Sequence, residues 1–239
     1  MKRVLTLFLT TVLTCVSSSL VMAAASSNSF DLNVDYVIGI RNFNEGSSSE
    51  SVGAQGIVLD GVCYFGKVVL GGEYNACGSA VGTKHPAYQD SLFVLKGGMV
   101  LYDDKVSKIS ALALYCNHGI KFVKESVDTN EKISGFGLGG LIKSQLTEEL
   151  SLDGYFNTIL GARYTSSVDQ EVAKNNFGLL YGVKLNYEIP ILDNKLLQLN
   201  AGFRSLMEFH SDPDSSEHQG GQNYYNALYL FTVGGGFVF

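Results

Sequence analysis

The chain has 239 residues, 46% of them hydrophobic and 17% charged, with 27 Gly, 3 Pro, no Trp and a formal net charge of −6. This length fits one domain of ordinary size, and the acidic balance excludes the basic footprint that nucleic-acid binding requires. Past residue 22 no apolar run reaches the roughly 20 residues of a spanning helix, so residence in a membrane would have to come from strands.

Residues 1–25 read as an export signal, with Lys2 and Arg3 as its positive start, an apolar stretch over 4–22 and Ala23-Ala24-Ala25 as a small-residue cleavage site. Its removal leaves 15 basic against 23 acidic residues, a net −8, on a mature chain of 26–239. From there the signal is period two. In 30–41 the residues Phe30, Leu32, Val34, Tyr36, Ile38 and Ile40 share one face, opposite Asp31, Asn33, Asp35, Gly39 and Arg41. A helix would scramble these sets; a strand keeps them apart. Next come 52–59 and 62–75, with Asp60-Gly61 between them read as a tight hairpin turn. Weaker alternation marks 91–102, 108–122, 134–143 and 150–164. It strengthens again in 177–188 and 197–208, and the last element is 224–239. The expectation is an all-β, up-and-down antiparallel transmembrane barrel of about ten strands, or eight if the turn at 60–61 is wrong.

The connections alternate in length. Asp60-Gly61, 103–105, 144–149 and 190–194 are short, whereas 44–51, 78–90, 124–132, 166–175 and 210–222 are longer and polar. Such alternation suits a meander with one end in the periplasm and the other outside. A soluble lipocalin-like barrel shares the period with the opposite sense. Strands of about 12 to 16 residues, mid-strand charge of both signs and aromatic strand ends (Tyr74, Tyr164, Phe177, Tyr187, Tyr225, Phe237) favour an apolar face toward lipid. The polar face then becomes a lumen in which Asp31, Asp35, Glu73, Asp153, Glu188 and Glu208 meet Arg41, Lys67, Lys96, Lys143, Arg163, Lys184 and Arg204 as ion pairs.

On the last strand Tyr225, Ala227, Tyr229, Phe231, Val233, Phe237 and the terminal Phe239 share one face, with Leu228, Leu230, Thr232, Gly234 and Gly236 on the other. With the export signal and the repeated alternation, this resembles the small outer-membrane barrel family that includes opacity-type surface proteins. The resemblance covers about 30–239. It implies that Tyr229, Phe231, Val233, Phe237 and Phe239 are read by the barrel assembly machinery, and that the first and last strands close on each other so that no backbone edge is left in lipid.

Nothing in the chain points to a cofactor or a metal site. Setting aside Cys15 in the export signal, Cys63, Cys77 and Cys116 have no CxxC spacing. With 62–75 read as one strand, Cys63 and Cys77 would lie about 40 Å apart, and free thiols are expected. The glycines of 135–140 lack the Lys-Ser/Thr of a phosphate loop. Glu208, His210, Asp212, Asp214, Glu217 and His218 form one acidic, His-containing cluster of the composition a general base needs, although it reads more simply as a solvated loop; His118 lies in a strand whose inward or outward parity is open. The expected function is therefore not enzymatic. It is a structural or surface-interaction (adhesin-like) barrel of the bacterial outer membrane with an ion-paired plug, meeting lipid, lipopolysaccharide and a host or envelope ligand at its long loops. The alternative is a narrow porin, and barrels of eight to ten strands leave little room for one.

Overall fold

The structure is a computed structural model, and it describes residues 28–45, 48–79, 87–104, 106–124, 127–166, 176–192, 195–211 and 223–239. The expected export signal at 1–25 lies outside them. Ten strands follow in chain order: β1 (Asn28–Glu45), β2 (Ser48–Phe65), β3 (Val68–Ser79), β4 (Ala87–Asp103), β5 (Ser107–Lys124), β6 (Val127–Gln145), β7 (Leu150–Ser166), β8 (Asn176–Leu192), β9 (Lys195–Ser211) and β10 (Asn223–Val238). Each pairs antiparallel with its neighbours in sequence, and β1 pairs with β10 to close the barrel. At the seam Phe30 and Phe239 exchange backbone hydrogen bonds of 3.0 and 2.9 Å.

Register fixes the barrel's shape. The pairing path from Arg41 runs through Leu228, Leu206, Leu180, Asn157, Gly139, Leu112, Gly98, Val69 and Tyr64, and it returns to β1 at Ser29, twelve residues away. With about 3.3 Å per residue and 4.8 Å between strands, that stagger over ten strands corresponds to a tilt of about 40° and a backbone radius of about 10 Å. Side chains from opposite walls of so narrow a tube touch.

The outer face is apolar. Val34, Tyr36, Ile38, Ile40, Leu70, Leu95, Phe136, Leu138, Phe156, Leu185, Phe231 and Val233 are all exposed. By register and tilt the outward Tyr36, Tyr74, Tyr115, Tyr181 and Tyr229 fall within about 7 Å of one another in height, as an interfacial girdle does. Halfway down, Gly61, Gly72, Gly97, Gly140, Gly154, Ala201 and Gly235 form a waist of small outward residues at about one level.

Several sequence expectations change. Asp60-Gly61 is not a turn: β2 runs through it, because Asp60 lies on the inward face, where Lys184 takes up its charge. The turn sits at Gly66, whose φ of 59° suits glycine. The expected strand 62–75 is therefore split between β2 and β3, yet the count of ten stands, because that turn lies in place of the expected one. Cys63 and Cys77 fall on adjacent strands, opposite Leu70 and Gly56. They remain seven register positions apart, about 23 Å, and none of the three described cysteines forms a disulfide. The stretches 44–51 and 124–132 are not long loops, since pairing continues to Glu45 with Ser48 and Lys124 with Val127. Outward Asn42, Ser51, Lys121 and Lys132 show why: the strands run on past the apolar band into water, so alternation of hydrophobicity fades before pairing does.

Candidate functional site

The lumen is the site on which every strand converges. Of the thirteen residues expected to form ion pairs within it, Asp31, Asp35, Arg41, Glu73, Lys96, Lys143, Asp153, Lys184, Glu188, Arg204 and Glu208 lie on inward faces and line it or pair within it. Lys67 does not: it follows Gly66 in the exposed β2–β3 turn, where the chain reverses. The side chain of Arg163 lies outside the described residues. So do those of Tyr164, His210 and Tyr225, and the whole of Asp212, Asp214, Glu217 and His218.

At the end of the long connections four side chains form a closed ring. Arg41 Nη1 donates to Asp90 Oδ2 at 2.7 Å, and Arg41 Nη2 lies 3.5 Å from Glu208 Oε2. His118 lies between the same two acids, with Nε2 at 2.8 Å from Asp90 Oδ1 and Nδ1 at 2.5 Å from Glu208 Oε1. The ring spans the tube, because β9 stands opposite β4 in the strand order. Both imidazole nitrogens face carboxylate oxygens, an arrangement that an imidazolium satisfies by donating from each. Two cations then balance two anions. Side-chain exposure is 0% for Arg41, Asp90 and His118 and 2% for Glu208, so the ring is shut off from water. Phe43 stacks edge-on to Tyr88 above it and carries the Arg41 guanidinium at 5.5 Å.

Around and below this ring the lumen is lined mainly by hydrocarbon, with Asn75 and Asn157 buried among it. Val37, Val58, Leu92, Val94, Leu114, Cys116, Ile159, Leu180, Leu206, Leu228 and Leu230 form one buried cluster. The inward setting of Leu228, Leu230 and Thr232 agrees with the face read from the last strand.

Toward the tight turns the lumen becomes polar. Glu73 bridges Lys96 (3.0 Å) and Arg204, and Lys96 Nζ lies 5.3 Å from the Tyr155 ring centre. Lys184 reaches Asp60 (3.4 Å) and Asp35 (3.9 Å). Lys143 crosses from β6 to Asp31 on β1 (3.2 Å) and approaches Glu188 (3.9 Å). Ser151, Gln198 and Asn186 hydrogen-bond the remaining acids, Glu188 and Asp153. Apart from Glu188, Ser151, Gln198 and Asn186, these groups surround a cavity of about 70 Å³, space for several waters. Side-chain exposure here reaches 15% at Lys184, 21% at Lys143 and 22% at Asp60, so the chamber opens toward the turn end.

The charge balance differs from the six acids and seven bases expected from the sequence. Asp60 and Asp90 join the lumen and Lys67 leaves it. Among the described residues eight carboxylates (those above with Asp60 and Asp90) meet five Lys and Arg side chains and His118. Asp60, Asp90 and His118 are the members that sequence reading missed. The signal was parity: Asp90 continues the inward series of Val94 and Leu92.

No known protein family and no curated relative matches the sequence. Solved structures match the fold. The outer membrane protease OmpT from Escherichia coli shares 8% identity over 90% of this chain and 97% of its own, with a TM-score of 0.52. The translocator domain of the autotransporter NalP from Neisseria meningitidis (11% identity, 90% and 88% covered) and the outer membrane protein OprG from Pseudomonas aeruginosa (12%, 90% and 96%) give TM-scores of 0.45 and 0.35. The likeness to OmpT, together with the closed ten-strand antiparallel sheet, makes the fold that of an outer-membrane β-barrel.

Proposed function

We propose that this chain is a bacterial outer-membrane barrel, exported by the signal at 1–25 and inserted through the face of Tyr229, Phe231, Val233, Phe237 and Phe239. In this reading it does not conduct and acts as a structural or surface-interaction protein. The observation that carries the closed lumen is the dry ring of Arg41, Asp90, His118 and Glu208 set in a continuous apolar cluster. A solute would have to displace both. Support for a surface role comes from the loop end, where strands of up to 19 residues outrun the 9–11 that cross a membrane, and where the long connections gather. Lipopolysaccharide and host or envelope ligands would meet the barrel there. The reading assigns no catalysis, since His118 sits where no substrate reaches it.

Planar-bilayer recording tests the closed lumen. The purified barrel is expected to give no sustained current, and steady single-channel conductance would overturn the reading. Adhesion is tested separately: whole-cell binding to lipopolysaccharide-coated and host surfaces is expected to fall when residues 212–222 are removed, and unchanged binding would overturn the surface role.

A further inference from the structure

The geometry points to a binding site for the ammonium group of a small aliphatic amine in the blind chamber at the tight-turn end. The inference rests on the reading above only for which compartment the mouth faces.

Charge is the first ground. Six carboxylates (Asp31, Asp35, Asp60, Glu73, Asp153 and Glu188) share this part of the lumen with four resident cations, Lys96, Lys143, Lys184 and Arg204, an excess of two anions. Glu73 is held between Lys96 and Arg204, so the excess falls on the acids around Lys143 and Lys184. The second ground is independent of the count. Asp31 Oδ1, Asp35 Oδ1 and Asp153 Oδ1 are buried and accept no hydrogen bond from the protein. Asp35 is the sharpest case, since its side chain is only 3% exposed, its other oxygen lies 3.9 Å from Lys184, and it lines the cavity. Water in the chamber meets such an oxygen, and an ammonium that replaces the water adds a charge-assisted bond, so the chamber favours a cationic donor from outside.

The chemistry of the donor follows from the arrangement. Among the described residues no cluster is suited to holding a metal ion. What is present is single oxygens on separate strands, some already shared with lysine ammonium groups. A primary ammonium with three N–H donors on a thin alkyl stem repeats what Lys143 and Lys184 do there, and Tyr155, Val62 and Leu141 offer apolar wall to the stem. The hydrocarbon above closes the chamber, so the ligand enters and leaves by the same mouth.

The test is titration calorimetry of the folded barrel in detergent micelles with 1,4-diaminobutane at fixed ionic strength, folding being checked by heat-modifiable gel migration. Saturable one-site binding is expected, weakened at least tenfold in Asp35→Asn and in Asp153→Asn. Lys184→Gln, which removes a resident ammonium, is expected to tighten it, a direction that general damage to the fold would not produce. Asp104→Asn, in the exposed β4–β5 turn, should leave it unchanged. Absence of saturable heat, equal displacement by magnesium at matched charge, or unchanged affinity in both Asp variants overturns the site. If Asp35→Asn fails to fold, the partly buried Asp153→Asn carries the comparison. Bilayer currents would sink the closed lumen without touching this result, because binding in micelles does not depend on conduction.

Discussion

The two ends of the lumen handle buried charge in opposite ways. At the loop end four ionisable groups are shut off from water and pair with one another across the tube. At the turn end a larger set is spread around a wet chamber, with carboxylates in excess and lysines partly exposed. A sealed network has to be complete, because any missing partner leaves a bare charge in a low dielectric. A wet one tolerates imbalance because water screens it.

Deleting one partner at each end is the strongest way to break this comparison. Arg41→Ala leaves Asp90 and Glu208 facing one imidazolium in a dry site, and a loss of about 3–5 kcal/mol is expected by urea unfolding of the refolded barrel. Lys143→Ala, with its side chain 21% exposed, should cost about 1 kcal/mol or less. Equal losses would mean that the two ends are equally dry. A second contrast separates inside from outside. A Cβ on inward Gly98 would run into the Ala111 carbonyl of β5, whereas one on outward Gly154 would meet nothing. Gly98→Ala is expected to cost about 1–3 kcal/mol and Gly154→Ala to fall within about 0.5 kcal/mol of neutral, both read from the same unfolding curves.

The smallest effect lies outside the membrane. The Tyr102 hydroxyl donates to Asp104 at 2.5 Å and the backbone N–H groups of Ser107 and Val106 add two more bonds, which holds the Asp104 carboxyl below its ordinary 3.8. A depressed carboxyl contributes stability above its unfolded value and loses it as pH falls through the folded one. Asp104→Asn should therefore weaken the β4–β5 turn slightly at neutral pH, and the gap between variant and parent should close below about pH 4. A gap that persists at pH 2 would contradict this origin.

The barrel itself was legible because lipid imposes period two on every strand, and 30–41, 177–188 and 197–208 carry it without interruption. The closing pair and the inward Leu228 and Leu230 followed from the same rule. What sequence obscured were the places where composition and pairing part company. Asp60-Gly61 has turn composition but sits mid-strand, because an inward Asp is stabilised by Lys184 from the far wall. Asp90 reads as a loop residue because β4 has already left the apolar band. Which charges meet was out of reach, since Glu208 and His118 are 90 residues apart in sequence and are joined only by a stagger of twelve around the ring. Local alternation encodes the face, whereas register around the closed sheet encodes the partner.

The central claim, a lumen sealed at the loop end and open at the turn end, is tested most directly by side-specific labelling of one cysteine. In a variant with Cys63, Cys77 and Cys116 replaced by Ala and Lys143 by Cys, a charged, membrane-impermeant thiol reagent should react only when it reaches the side of the tight turns, and intact cells should stay unlabelled until the periplasm is opened. Labelling of the same cysteine from outside intact cells would show a continuous path through the Arg41–Asp90–His118–Glu208 ring and contradict the account.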